Sequence, residues 1–169
     1  LLSLVLESDL YIDEGEVIEA LDVLCTRMRN EITSHDQGWL VTQETEGDHD
    51  HRPGTCAPFA WCDGASGMAR ALWLAGRALR DEELTLLAHQ GLAQAIRSFT
   101  QEPRRFGPSL CHGIAGLLQV STHFAGENEN LDLTADIQAM LQRLLELFEP
   151  DRPFGYRAFE PEYIRVDTP

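Results

Sequence analysis

The chain has 169 residues, of which 43% are hydrophobic, a length and composition suited to one folded domain with a packed core. Acidic residues number 28 against 13 cations, every cation is an arginine, and the formal net charge is −15. The lack of lysine excludes a Schiff-base or phosphate-loop lysine, the acidity argues against nucleic-acid or anionic-membrane binding, and no apolar run approaches the roughly 18–20 residues of a membrane span. No secretory signal pattern opens the chain, so a cytoplasmic location is the expectation. Both ends look cut: the chain opens on Leu1-Leu2-Ser3-Leu4-Val5-Leu6 without a methionine and closes on Asp167-Thr168-Pro169, as a piece of a longer protein would.

In chain order, the apolar residues Val17, Ala20, Leu21, Leu24, Met28 and Ile32 recur at three-and-four spacing and predict an amphipathic helix from Glu14 to Ile32. The polar stretch 42–58, with Glu44, Glu46, Asp48, His49, Asp50 and His51, reads as a long surface loop. Helical periodicity returns over 67–79, 81–99, 113–124 and 131–148, and strand-like alternation is nearly absent. The last twenty residues, 150–169, carry four prolines and read as an irregular tail.

A shift of 49 residues lays Cys62-Asp63-Gly64-Ala65-Ser66-Gly67-Met68 over Cys111-His112-Gly113-Ile114-Ala115-Gly116-Leu117, so the pattern Cys-x-Gly-x-x-Gly-apolar occurs twice. The same shift superposes Leu84 on Leu133, Leu92 on Leu141 and Phe99 on Phe148. Two copies of one helical hairpin follow, each with a Gly-rich turn, a small-residue helix and then a more amphipathic helix. Small residues permit close approach, so the first helix of each pair suits an inner layer and the second an outer one. The expected fold class is all-α, an antiparallel α/α array that is either an open solenoid or a closed toroid.

Equivalent turns bring Cys62 and Cys111 to the same rim, with His112 beside the second. Two thiolates and an imidazole suit Zn²⁺, and three protein ligands leave a fourth position for water or substrate. The residues alone leave a plainer reading open, in which the cysteines are small buried hydrophobes and the histidine a cap. His123 lies 11 residues beyond His112, roughly 16 Å along a helix and too far to share a metal. His89 reads as surface or packing, Cys25 as core, Cys56 as a competing ligand, and the Asp48-His49-Asp50-His51 tract as a solvated loop.

Trp61-Cys62-Asp63-Gly64 followed by Leu110-Cys111-His112-Gly113-Ile114-Ala115-Gly116-Leu117 resembles the lanthionine synthetase C-like cyclases, whose zinc site is a Cys in a Trp-Cys-x-Gly turn and a Cys-His pair in a Cys-His-Gly turn. All three metal positions match, as Cys62, Cys111 and His112. Departures stand at Pro58 and Asp63, where similar cyclases often carry Arg and Tyr. The resemblance implies an α/α toroid, present here as a partial ring: residues 1–169 would be the C-terminal part of one cyclase domain, Leu1 to Leu6 an inner helix, and 150–169 the approach to a last repeat.

It also implies a zinc-dependent reaction that adds a peptide cysteine thiol to dehydroalanine or dehydrobutyrine, closing a thioether ring. The partner would be a dehydrated precursor peptide, which requires a dehydratase, either separate or joined. The family's proton-handling histidine belongs to an earlier Gly-rich turn, expected upstream. Two alternatives remain: a relative whose zinc captures glutathione or another small thiol, and a non-catalytic α-solenoid interaction module. A partial ring also predicts uncovered apolar faces, at Leu1 to Leu6 and at Ile114, Leu117, Leu118 and Val120, to be filled by the rest of the protein or another chain.

Overall fold

The computed structural model describes residues 15–33, 60–62 and 64–157. All regular structure among them is helical: α1 (Gly15–Thr33), α2 (Ala65–Leu79), α3 (Glu82–Gln101), a 3₁₀ turn (Pro103–Arg105), α4 (Ile114–Glu127) and α5 (Thr134–Glu146). The polar stretch 42–58 and its Asp-His tract, with Cys56, Leu1 to Leu6 and Asp63, lie outside the described residues.

The helices start and stop for local reasons. Between α2 and α3 the chain reverses through Arg80, left-handed at φ 55°, while the N–H groups of Arg80 and Asp81 return to the carbonyls of Arg77 and Gly76. Asp81 then caps α3, its carboxylate accepting from the N–H groups of Glu83 and Leu84, and Glu82 and Glu83 place negative charge on the first turn. Partial burial works to raise the Asp81 carboxyl, but the Leu84 N–H and the Arg29 guanidinium outweigh it and hold it below the usual carboxylate range. Arg29 reaches Asp81 from α1 at 2.8 Å, which fastens α1 to this turn.

Packing follows the inner and outer assignment. Helix α2 is central and touches α1, α3 and α4, while α5 lies on α4. Ala69, Ala75 and Gly76 of α2 and Ala88, Gly91 and Ala95 of α3 are all buried, so small residues let the members of the first hairpin approach closely. The inner helices α2 and α4 run side by side in the same direction, tied at both ends. At the start, Trp61 N–H donates to the Cys111 carbonyl; at the finish, Glu127 accepts from Arg70, Trp73 and Arg77. Two parallel inner helices backed by outer helices are the arrangement of an arc of an α/α ring.

The core joins Leu72, Leu84, Leu92, Phe99, Phe106, Ile114, Leu117, Val120, Phe124 and Met140. This corrects one expectation. Ile114, Leu117 and Val120 are buried, not uncovered, because α4 spends its apolar face on its neighbours within the chain. Apolar exposure lies instead on α5 and its end, at Leu141, Leu145 and Phe148, and on α1, at Ile18, Val23 and Leu24.

Helix bounds differ from the expected ones by up to three residues. Helix α5 starts at Thr134 and not 131, because the Asp132 carboxylate accepts from the Thr134 N–H and holds the preceding residues in a turn. After α5 the chain turns back at Gly155 (φ 73°), whose carbonyl accepts from Glu149 N–H at 2.7 Å, and Tyr156 stacks edge-on against Phe148.

Candidate metal centre

Two Gly-rich turns build the site, and both use the same device. In each, a glycine in the first turn of the inner helix lies against the carbonyl of the residue six positions earlier. A Cβ on Gly67 would stand 1.8 Å from the Trp61 carbonyl oxygen, and one on Gly116 would stand 2.0 Å from that of Leu110. Only glycine permits these approaches, and they fold the loop back so that the residue after each carbonyl, Cys62 or Cys111, sits just ahead of its helix. Gly64 and Gly113 occupy the N-cap positions in extended conformation. The Ala60 carbonyl accepts from Gly64 N–H and Ser66 Oγ, and the Gly107 carbonyl accepts from Ile114 N–H, so backbone oxygens stand in for side-chain caps.

The Trp61–Cys111 backbone bond of 2.8 Å fixes one turn against the other. As a result Cys62 Sγ lies 3.3 Å from His112 Nε2, Cys111 Sγ lies 3.8 Å from the same nitrogen, and the three donor atoms fall within 4.8 Å of one another. No disulfide joins the two cysteines. Cys62 and His112 are exposed and Cys111 half-buried, so the group opens to solvent. Trp61 and Leu110, equivalent in the repeat, are both exposed and flank it with apolar surface.

The donor set fits Zn²⁺. Tetrahedral coordination with Zn–S near 2.3 Å and Zn–N near 2.0–2.1 Å has a sulfur-to-nitrogen edge of about 3.6 Å, and the separations found here, 3.3 and 3.8 Å, bracket it. Two thiolates and a neutral imidazole would also balance the charge of one divalent ion and leave a fourth position open.

The remaining candidates fall elsewhere. His89 packs edge-on against Trp73 and Phe124 at centroid distances of 5.0 and 5.6 Å, with Asn128 at hydrogen-bond distance from its Nε2. Burial pushes its pKa below the ordinary histidine value. His123 is exposed on α4. Cys25 is buried in α1, and desolvation, then Asp22, push its thiol up. Sequence reasoning missed the Glu127 cluster, in which the carboxylate binds Arg70 and Trp73 at 2.7 Å each and Arg77 at 3.1 Å. Burial works to raise Glu127, but these partners prevail and hold it below the usual range.

Among the described residues, no helix is long and apolar enough to cross a membrane. Comparison with curated proteins finds no match. The family model for the lanthionine synthetase C-like protein matches residues 1–163, nearly the whole chain, and with its all-helical hairpins the chain belongs to the lanthionine synthetase C-like family.

Proposed function

We propose that Cys62, Cys111 and His112 hold one Zn²⁺ and that the chain forms part of a cyclase that adds a peptide cysteine thiol to dehydroalanine or dehydrobutyrine, making a lanthionine-type thioether. The observation that carries this reading is the convergence of two sulfurs and one imidazole nitrogen within 4.8 Å at the mouth of two inner helices. When bound, the ion lowers the pKa of a substrate thiol, while two anionic cysteine ligands keep the metal electron-rich and the substrate sulfur nucleophilic.

The chain's own residues supply position and access. The duplicated turns hold the three donors, and the Trp61–Cys111 bond keeps them in register. Exposure of Cys62 and His112 leaves room for an extended peptide, which a deeply buried site would refuse. Addition leaves a carbanion next to the acceptor's carbonyl, which must be protonated. With His112 committed to the metal, that proton comes from another group. The peptide arrives already dehydrated, so a dehydratase acts before this site. A cytoplasmic location agrees with a zinc-thiolate site.

The test is binding by the zinc-loaded full chain. A dehydrated cysteine-containing peptide should bind at least tenfold more tightly than glutathione. Preference for glutathione would make the chain a small-thiol binder, and no thiol affinity at all would favour an interaction module; either result overturns the cyclase reading.

A further inference from the structure

The two sulfurs have a second chemistry open to them, independent of any metal. Cys62 Sγ and Cys111 Sγ are at most 4.8 Å apart. A disulfide needs about 2.05 Å, so a sulfur must travel at most about 3 Å, the size of displacement that one χ1 rotation gives. The backbones already meet, since Trp61 N–H bonds the Cys111 carbonyl. Exposure sets an order: Cys62 is open to solvent and Cys111 half-buried, whereas Cys25 is fully buried in α1.

We propose that Cys62 and Cys111 form a reversible disulfide when the chain is metal-free, with Cys62 the thiol oxidised first and Cys111 the one that resolves it. The oxidant is hydrogen peroxide. The Cys62 thiolate attacks one peroxide oxygen and the O–O bond breaks. The leaving oxygen takes up a proton as water, and Cys62 becomes a sulfenic acid. The Cys111 thiolate then attacks the Cys62 sulfur, the S–O bond breaks, and a second water departs as the S–S bond forms. Two electrons pass from the two sulfurs to one peroxide, and two thiol protons end in water. The disulfide itself does not depend on the metal reading. The protection described next rests on it, because a cation that engages both thiolates withholds them from peroxide.

The experiment oxidises the full chain with dilute hydrogen peroxide after chelation, and again after zinc addition, followed by peptide mapping without reductant. The metal-free chain should show a Cys62–Cys111 cross-link reversed by dithiothreitol. Cys56→Ser should leave it unchanged, and Cys111→Ser should instead leave a Cys62 sulfenic acid trapped by dimedone. Zinc should slow cross-linking at least tenfold. A cross-link through Cys56, or irreversible oxidation without any cross-link, overturns the proposal. A cross-link formed equally fast with zinc present would retain the disulfide and count against the metal site, so the two failures are separable.

Discussion

Trp61 donates its backbone N–H to the carbonyl of Cys111 at 2.8 Å, so the residue before one candidate ligand is bonded directly to the backbone of another. The site is therefore a property of two turns held together, and whatever displaces either turn moves the donors apart.

The glycines behind the turns should be more sensitive than their size suggests. A Cβ at Gly67 or Gly116 would overlap a backbone carbonyl, so Gly67→Ala or Gly116→Ala must push the Cys62 or Cys111 turn outward. Each should cost about 1–3 kcal/mol in urea denaturation and weaken metal retention. Gly126 has nothing within 4 Å of its added Cβ and lies in α4, so Gly126→Ala should raise stability by up to about 1 kcal/mol. Equal effects at the three positions would contradict the close-approach account.

Glu127 joins the far ends of the inner helices. Its partner Arg70 is 7% exposed and would lose a 2.7 Å charge-assisted bond, so Glu127→Ala should cost about 1–3 kcal/mol. Because the folded pKa is depressed, this contribution is complete above the unfolded glutamate value, near pH 4.3, and is lost as pH falls through the folded value. Urea denaturation from pH 7 down to 3 should therefore show a shallower acid decline for Glu127→Gln than for the parent chain.

His89 should give a milder pH effect of its own. Burial favours the neutral ring, and Asn128 can donate to Nε2 only while that nitrogen is unprotonated. The folded pKa lies below the unfolded value, so stability is constant above about pH 6.5 and declines as pH falls from there toward the folded value. His89→Phe should keep the aromatic packing against Trp73 and Phe124 and abolish that decline. An unchanged slope would place its origin elsewhere.

The repeat made much of this legible in the sequence. Cys62 and Cys111, Gly67 and Gly116, and Trp61 and Leu110 are pairs at one offset, and each pair occupies equivalent places in the fold. Partners across the chain were not legible. Arg29–Asp81 and Arg70–Glu127 join residues more than 50 apart, and nothing in a charge's local surroundings names its partner until helix packing brings the two together. The apolar stripe of α4 was visible, but periodicity marks a face without saying what covers it. Ile114, Leu117 and Val120 proved buried, while Leu141 and Leu145 of α5 did not.

The most direct test of the central claim is the metal content of the full chain after zinc loading and removal of excess. One zinc per chain should be retained. It should be lost, without loss of helical circular dichroism, in each of Cys62→Ala, Cys111→Ala and His112→Ala, while His123→Ala keeps it. Cobalt in its place should show sulfur-to-metal charge-transfer absorption that weakens stepwise as the cysteines are removed. A chain that retains no zinc, or three variants that all retain it, would contradict the account.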